Sequence, residues 1–353
     1  MFSSLQLQNF RGYENSQFEF EEGVNIIVGP NASGKTSILE ALLVLTGGSS
    51  YKGQDTDLIR FGAEWARADA RLDDGDTRTV KLVLAPDGKA QKSYEVNEVK
   101  KTRFTSALML PRVFFEPQHM NLLVGEPSGR RQFLDDILTS TNQQFLHASK
   151  NYKRALLQRN TLLKKHGSGA NPSDLFVWDL RLSELGGAIF AARTQLIDRM
   201  ASGIEAEYER LSGKKEAVTL RYESSVTGAD YTNAFLKKLT ENHHKDMLRG
   251  YTGCGPHRDD FILEIRGHDA RASASRGETR SLLLALKVLE LQELERVTEH
   301  PPILLLDDVF SELDGRRRLA LADTLKDHQA FITTTDADLV IEHFTASAKI
   351  IPL

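Results

Sequence analysis

Eight consecutive residues, Gly29-Pro30-Asn31-Ala32-Ser33-Gly34-Lys35-Thr36, complete the pattern G-x-x-x-x-G-K-[ST], and the residue types suit one task, the holding of phosphate. Glycines let backbone N–H groups close around phosphate oxygens, and the start of the following helix adds the positive end of its dipole. Lys35 is placed to reach the outer phosphates and Thr36 to ligate magnesium, so the segment reads as a nucleoside-triphosphate site. A second run, Pro302-Ile303-Leu304-Leu305-Leu306-Asp307-Asp308, is an apolar strand that ends in two acids, the form of a Walker B element. Asp307 would hold the magnesium shell, and Asp308 sits where a water-polarising carboxylate belongs. Lys35 and Asp307 lie 272 residues apart, so the two halves of the site come from opposite ends of the chain.

Those side chains need particular elements to position them. Val24–Val28 is short, apolar and β-branched, and Ser37–Leu45 is dense in helix formers, which gives the strand, loop and helix order the phosphate loop requires. From Phe2 to about Pro117 the pattern is strand-rich, with Asp74-Gly75 and Asp87-Gly88 as hairpin turns. From about Gln118 to Asn242 long helical segments are expected (Phe133–Leu138, Gln143–Lys165, Leu175–Leu211), broken at Gly167–Ser173 as at the tip of a helical hairpin. After Gly250 strands return at Phe261–Ile265, Ile303–Leu306 and Phe331–Thr335, alternating with helices over Arg280–Arg296 and Arg316–Lys326. The expected fold is α/β: an ATPase core lobe of residues 1–117 with 246–353, interrupted by an all-helical lobe of residues 118–245.

Composition agrees with an ordinary globular chain. Of 353 residues, 40% are hydrophobic and 27% charged, and no stretch approaches the roughly 18 apolar residues of a membrane span. The start Met-Phe-Ser-Ser-Leu-Gln has neither the basic beginning nor the apolar core of a signal peptide, and Cys254 is the only cysteine, so a reducing cytoplasm is expected. Cys254, between Gly253 and Gly255, reads as a small buried turn residue. Net charge is −4, so any contact with nucleic acid has to come from a local patch. Between Arg130 and His166 eight Lys/Arg face only Asp135 and Asp136, a local balance of +6, and Arg130, Arg131, Lys150, Lys153 and Arg154 are the candidate DNA contacts; a solvated helix face has the same appearance.

Further motifs resemble those of the ABC ATPase superfamily. Ser275-Arg276-Gly277-Glu278, 32 residues before Asp307 and at the head of an amphipathic helix, is similar to the signature motif, in which a serine hydroxyl and helix N–H groups cover the γ-phosphate of the opposite subunit. Ser275, Gly277 and Glu278 are therefore candidates for nucleotide contact in trans, although Ser-x-x-Glu is also a capping box. Ser311-Glu312-Leu313-Asp314 resembles the D-loop along the dimer interface; the alternative is a capping turn for the helix after Gly315. Gln118 falls at the Q-loop glutamine, and Arg11, in Asn9-Phe10-Arg11-Gly12, falls where chromosome-maintenance ATPases keep a basic residue near the nucleotide. Thr333-Thr334-Thr335-Asp336 stands where the switch histidine would follow its strand, which fits a slow ATPase.

Taken together these residues are similar to the RecF family over nearly the whole chain. The resemblance is carried by Leu7-Gln8-Asn9-Phe10-Arg11-Gly12-Tyr13, the phosphate loop with Leu39-Glu40-Ala41, Phe115-Glu116-Pro117, Gly125-Glu126-Pro127, Arg130-Arg131-Gln132-Phe133-Leu134-Asp135, Gly255-Pro256-His257-Arg258-Asp259-Asp260 and the two acidic motifs above. Gln118, where an acid is common, and Glu278, where Gln is common, depart from it. It implies an ABC-type P-loop ATPase without a long coiled coil, which binds ATP and Mg2+ through Gly29 to Thr36 and Asp307 and closes as an ATP-dependent homodimer. It further implies binding to single-stranded or gapped DNA and junctions, and action with RecR and RecO in loading RecA, in support of replication restart and SOS induction. Two other readings share the motifs. A transporter's ATPase subunit would carry the switch histidine and a fuller signature, and a non-hydrolysing nucleotide switch would fit Asp308 in place of the longer glutamate. A nuclease-associated clamp would need long heptad arms that the insertion lacks.

Overall fold

Strands that read as unbroken apolar runs have to be covered on both faces, and Ile303–Asp307 and Ala330–Thr334 are buried along their whole length. In the computed structural model they lie inside a five-stranded parallel sheet. That structure describes all residues except 103, 106–107, 117–118, 167–171, 299, 337 and 345–347. In chain order the elements are β1 (Phe2–Phe10), β2 (Tyr13–Glu19), β3 (Val24–Val28), α1 (Lys35–Leu45), β4 (Trp65–Leu72), β5 (Thr77–Leu84), β6 (Ala90–Val96), β7 (Val99–Lys101), β8 (Arg112–Phe115), α2 (Met120–Val124), α3 (Pro127–Thr141), α4 (Gln143–His166) and α5 (Pro172–Ser212). They continue as β9 (Val218–Glu223), α6 (Tyr231–Glu241), α7 (His243–Arg249), β10 (Asp260–Ile265), β11 (His268–Asp269), α8 (Ala270–Ser273), α9 (Arg276–Val297), β12 (Ile303–Asp307), α10 (Gly315–Leu325), β13 (Ala330–Thr334), α11 (Asp338–Ile341) and β14 (Lys349–Pro352). Among the described residues no helix is long and apolar enough to cross a membrane.

One compact unit comprises Met1–His119, Arg210–Gly213 and Glu290–Leu353. Its parallel sheet has the order β14-β3-β13-β12-β8, which sets β3 and β12, from opposite ends of the chain, on either side of β13. A six-stranded antiparallel sheet, β2-β1-β4-β5-β6-β7, turns its alternating apolar face (Leu5, Leu7, Ala66, Ala68, Val80, Leu82) into the same core as α1. The expected hairpin turns at Gly75 and Gly88 join β4 to β5 and β5 to β6, both with positive φ.

The other unit comprises Met120–Glu209 and Lys214–Leu289. It is helical for most of its length but is not all-helical: β9 pairs with β10, and β10 with β11, in an antiparallel sheet. This corrects the expected texture, and the cause is legible in Val218, Leu220 and Tyr222, whose alternation is that of a strand with one buried face. The pairing also draws β10 and the start of α9 into this unit, so its second segment runs to Leu289 where the sequence boundary was residue 245.

Buried charge organises this unit. Arg130 forms a two-bonded pair with Asp260 (2.7 and 2.8 Å), Arg193 binds Asp135 at 2.8 Å and the Pro256 carbonyl at 2.7 Å, and Arg159, fully buried, binds Asp179 (2.7 Å) and Asp246 (2.8 Å). The stretch Gly255-Pro256-His257-Arg258-Asp259-Asp260 takes two of these ties, from Arg130 to Asp260 and from Arg193 to Pro256. Asp259 accepts bonds from Tyr222, Ser224 and Ser225, and burial nevertheless raises its carboxyl above the ordinary range. Gly255 has φ 114°, and a Cβ there would come within 2.3 Å of the Phe235 ring. His257 donates from Nε2 to the Thr252 carbonyl (3.0 Å), and its Nδ1 accepts from the Tyr152 hydroxyl (2.8 Å), so the ring is neutral. Cys254 is buried and free, and burial pushes its thiol up to about 11, as suits a packed turn residue.

Burial pushes the His257 ring down to about 4 from 6.5. The unfolded ring therefore takes a proton before the folded one. Its contribution is fully present above about pH 6.5, shrinks as pH falls, and is exhausted near pH 4, a loss of about 3 kcal/mol. With Trp65→Phe leaving Trp178 as the reporter for this unit, the urea midpoint should fall across that window, and His257→Gln should flatten the dependence.

Candidate nucleotide-binding site

The phosphate loop runs from the end of β3 into α1, as expected from its flanks. Ala32 (φ 65°) and Gly34 (φ 101°) take left-handed backbone, and a Cβ on Gly34 would lie 2.6 Å from the Tyr13 hydroxyl, so only glycine fits there. The start of α1 has no side-chain cap and no acid of its own in the first turn. Lys35 Nζ donates to the carbonyls of Gly29 (2.6 Å) and Pro30 (2.8 Å). Arg11, in left-handed backbone between β1 and β2, donates from Nε and Nη2 to Glu40 of α1, each at 2.8 Å.

β12 brings Asp307 to the loop. The Thr36 hydroxyl donates to its Oδ1 and Oδ2 at 3.0 and 3.2 Å, across 271 residues of sequence. The same carboxylate accepts from Thr333 (2.8 Å to Oδ1) and from the Tyr51 hydroxyl (3.0 Å to Oδ2), and Lys52 Nζ lies 3.4 Å from Oδ2. Burial, then the charge of Asp307, raises the Tyr51 hydroxyl well above the ordinary tyrosine range, so it keeps the proton that it donates to the carboxylate. Asp308 has φ 52°; its N–H donates to Thr333, and its Oδ1 accepts from Ser311 at 2.6 Å. These groups line a cavity of about 690 Å³ that includes Arg11, Asn31, Lys35, Thr36, Glu116, Asp307, Asp308 and Thr335, within the size range of ligand pockets.

Thr36 and Asp307 are the residues fitted to a hard cation: one hydroxyl and one carboxylate in mutual contact at a phosphate site, as magnesium accepts when the remaining positions are phosphate or water. Among the described residues there is no cluster of three or more His, Cys, Asp or Glu that would make a metal cage of protein alone.

Other sequence-marked residues are distributed as follows. Ser275 and Glu278 form a reciprocal capping box, with Ser275 N–H donating to Glu278 (2.8 Å) and Glu278 N–H to the Ser275 hydroxyl (3.3 Å). The Arg266 guanidinium beside it, then the Ser275 N–H, holds the Glu278 carboxyl down at about 2. Ser275 is exposed, and Gly277 lies in the first turn of α9. Asp314 accepts from the Arg317 N–H and caps α10. Gln118 lies outside the described residues. Lys150, Lys153 and Arg154 are exposed on α4. Arg130 is not available to a partner: it is 2% exposed and occupied by Asp260. Arg131 donates to the Asp259 carbonyl, and Arg159, one of the eight cations counted in the basic stretch, is fully buried. The surface charge of that stretch is smaller than its sequence count. Tyr51, Lys52, Glu40 and Thr333 were not singled out from sequence as site residues; a lone Lys in Ser-Ser-Tyr-Lys-Gly just after α1 was the available signal for the first two.

The sequence profile of a family described as AAA domain matches residues 4–246. The chain is 36% identical over 337 residues to the DNA replication and repair protein RecF of Lachnoclostridium phytofermentans, covering 94% of this chain and 92% of the relative. It is also 36% identical over 341 residues to the protein of the same name from Heliobacterium modesticaldum, covering 94% and 91%. The solved structure of the recombination mediator protein RecF with ATPrS, in the RecFOR pathway, aligns with a TM-score of 0.86 at 30% identity, covering 97% of this chain and 94% of that one. An Smc head bound to the C-terminal winged-helix domain of ScpA aligns with a TM-score of 0.56 at 17% identity, covering 96% and 90%, a likeness of fold alone.

Glu40 has a side chain only 2% exposed. Arg11→Ala should leave that carboxylate buried without its cation and lower stability by about 3 kcal/mol, and a second change, Glu40→Gln, should recover most of the loss. Chemical unfolding of the three variants followed at Trp65, with Trp178→Phe in each, checks this.

Proposed function

The chain belongs to the RecF family of DNA replication and repair proteins, and from that premise we propose that it is an ATP-driven switch of recombinational repair that closes as a dimer on DNA. The observation that carries the proposal is the bond between Thr36 and Asp307, which joins the phosphate loop and the Walker B strand at one cavity. ATP fits that cavity because the loop supplies N–H donors and the Lys35 ammonium, and a relative of this family is known with ATP. Thr36 and Asp307 are the residues that would hold magnesium, which when bound neutralises charge across the outer phosphates.

Ser275 supports closure between two copies. Its exposed hydroxyl stands at the N-terminus of a 22-residue helix, where the helix dipole favours negative charge, an arrangement suited to a γ-phosphate presented by a second subunit. ATP then favours the closed dimer because contacts from both subunits exist only in that state. DNA contact through Lys150, Lys153 and Arg154 would go to phosphate, so it would be sensitive to salt and nearly indifferent to sequence. In the pathway shared with RecO and RecR, such a clamp marks single-strand gaps and junctions where RecA is to be loaded.

Hydrolysis is the slow step of this cycle. Asp308 is a short carboxylate in left-handed backbone and is already engaged by Ser311, so its reach toward an attacking water is limited. The same observation favours a second reading, a nucleotide switch that does not hydrolyse. Steady-state phosphate release with and without gapped DNA, with Lys35→Met as the blank, separates the two.

Sedimentation of the wild type with ATP should show dimers, and Ser275→Arg should stay monomeric; equal dimerisation of both would dismiss the role of Ser275 in trans. Lys150→Glu with Arg154→Glu should weaken binding to gapped DNA about ten-fold or more at moderate salt and lower the salt slope by about two. Unchanged affinity in a filter or anisotropy assay would move the DNA surface elsewhere.

A further inference from the structure

The second unit has a cavity of its own, of about 170 Å³, among α3, α4, α5 and the turn at Pro256 and His257. Pockets for small organic molecules begin at roughly 300 Å³, so this space suits a single compact group. Three cations line it, Arg131, Lys153 and Arg193, with one carboxylate, Asp135. That carboxylate is already taken. Arg193, 4% exposed, reaches its Oδ1 from Nε at 2.9 Å and from Nη2 at 2.8 Å. His257, also in the wall, is neutral, since it accepts from Tyr152 and donates to the Thr252 carbonyl. The lining therefore has a surplus of two positive charges, on Arg131 and Lys153.

Neither surplus cation is spent on an acid. Arg131 makes one bond among the described residues, to the Asp259 carbonyl, and Lys153 makes none. Asp260, whose charge also reaches Arg131, is held by Arg130 in two bonds. Burial, then the charge of Arg193, lowers the Arg131 guanidinium from its ordinary range, and Arg258 adds to the effect. Cations kept this close repel one another unless an anion joins them. Ser128 of α3 and Ser149 of α4 bring hydroxyls to the same lining, and Ser128 and Lys153 are exposed, so the cavity is open to solvent on their side.

We infer that this cavity is a site for one phosphate group, held by Arg131 and Lys153 with the Ser149 hydroxyl beside them, whether the group is inorganic phosphate or one phosphodiester of a nucleic-acid backbone. The guanidinium fork takes two oxygens of a tetrahedral oxyanion and the ammonium a third, while Arg193 stays on Asp135 and keeps the wall in place. A backbone phosphate seated here meets donors on two fixed helices, so it sets the register of the strand, and the exposed Lys150 and Arg154 of α4 add only charge. The backbone source rests on the DNA reading given above; the free-phosphate source does not.

The test has two arms, both on the full chain with Lys153→Met, Arg131→Gln and Ser149→Phe, the last of which fills the cavity without removing a charge. In the first, melting is followed at Trp178 in a Trp65→Phe background, in sodium phosphate against sodium chloride at equal ionic strength. Phosphate at about ten times its dissociation constant should raise the wild-type midpoint by about 3 °C, and the variants should lose that saturable rise; the general salting effect of phosphate is common to all and cancels. In the second, anisotropy with gapped DNA should show Ser149→Phe binding about ten-fold more weakly, with a salt slope smaller by about one, if the backbone is the source. DNA affinity within about two-fold of the wild type, with the phosphate response lost, supports the site with free phosphate as its ligand. The inference is overturned if the variants keep the phosphate response, or if the wild type has none and Ser149→Phe leaves DNA affinity and salt slope unchanged. If the wild type fails to bind DNA at all, the DNA reading falls and the phosphate arm alone decides. Lys153 is exposed on α4, so its variant folds even where the other two do not.

Discussion

The carboxylate of Asp307 is the point on which the first unit depends. It is nearly buried, at the end of an apolar strand, and a charge there is tolerable only because hydroxyls arrive from three separate segments: Thr36 at the start of α1, Tyr51 in the following loop and Thr333 at the end of β13. Each donor fixes a different part of the site relative to β12. Thr36 sets the phosphate loop, Tyr51 sets the loop that carries Lys52, and Thr333 sets Asp308 through that residue's N–H. A carboxylate offers about four acceptor positions, and these donors use most of them, so the geometry is over-determined. The order β3-β13-β12 is what makes this arrangement attainable, because it brings strands from the two ends of the chain to the same edge of one cavity.

A related economy governs the second unit, with the signs reversed. Arg130, Arg159 and Arg193 are buried cations, each met by a carboxylate in good geometry. Such pairs add little net stability compared with apolar residues of the same size, but removal of one partner is severe, so they enforce one arrangement over its competitors. The segment from Gly255 to Asp260 receives Arg130 and Arg193, and that is a structural reason for its peculiar composition: a glycine that must approach Phe235, a proline whose carbonyl accepts from Arg193, a neutral histidine and two acids. None of these residues needs a ligand to account for it.

How far the sequence was readable follows from the range over which each signal acts. The phosphate loop, the Walker B run and the hairpin turns at Gly75 and Gly88 are local patterns, and each formed the element its residues implied. The helical texture of Gln143 to Lys165 and of Leu175 to Leu211 was equally plain, because amphipathic periodicity persists over many turns; the expected break between them falls mostly outside the described residues. The alternation of β9 is a weaker signal, because six residues between helices carry little weight without the pairing to β10. Burial of charge was not legible at all. Arg130 and Arg159 look like Lys150 and Arg154 in a count of basic residues, and only Asp260, Asp179 and Asp246, distant in sequence, show which cations face inward. The partners of Asp307 other than Thr36 were hidden for the same reason.

Residues proposed to serve the nucleotide in trans also cap helices, and in the proposed cycle this bears on timing. Ser311 binds Asp308, and Asp314, three residues on, caps α10; the carboxylate proposed to orient water and the turn proposed to face a second subunit therefore belong to one short rigid piece. In the proposed cycle the hydrogen bond of 2.6 Å between Ser311 and Asp308 links that turn to the carboxylate. Ser275 is built the same way, its hydroxyl and N–H tied to Glu278, which Arg266 keeps ionised. In the proposed cycle neither motif has to be ordered by the nucleotide, since helix capping has already done so, and the free energy of binding is left to bring two subunits together.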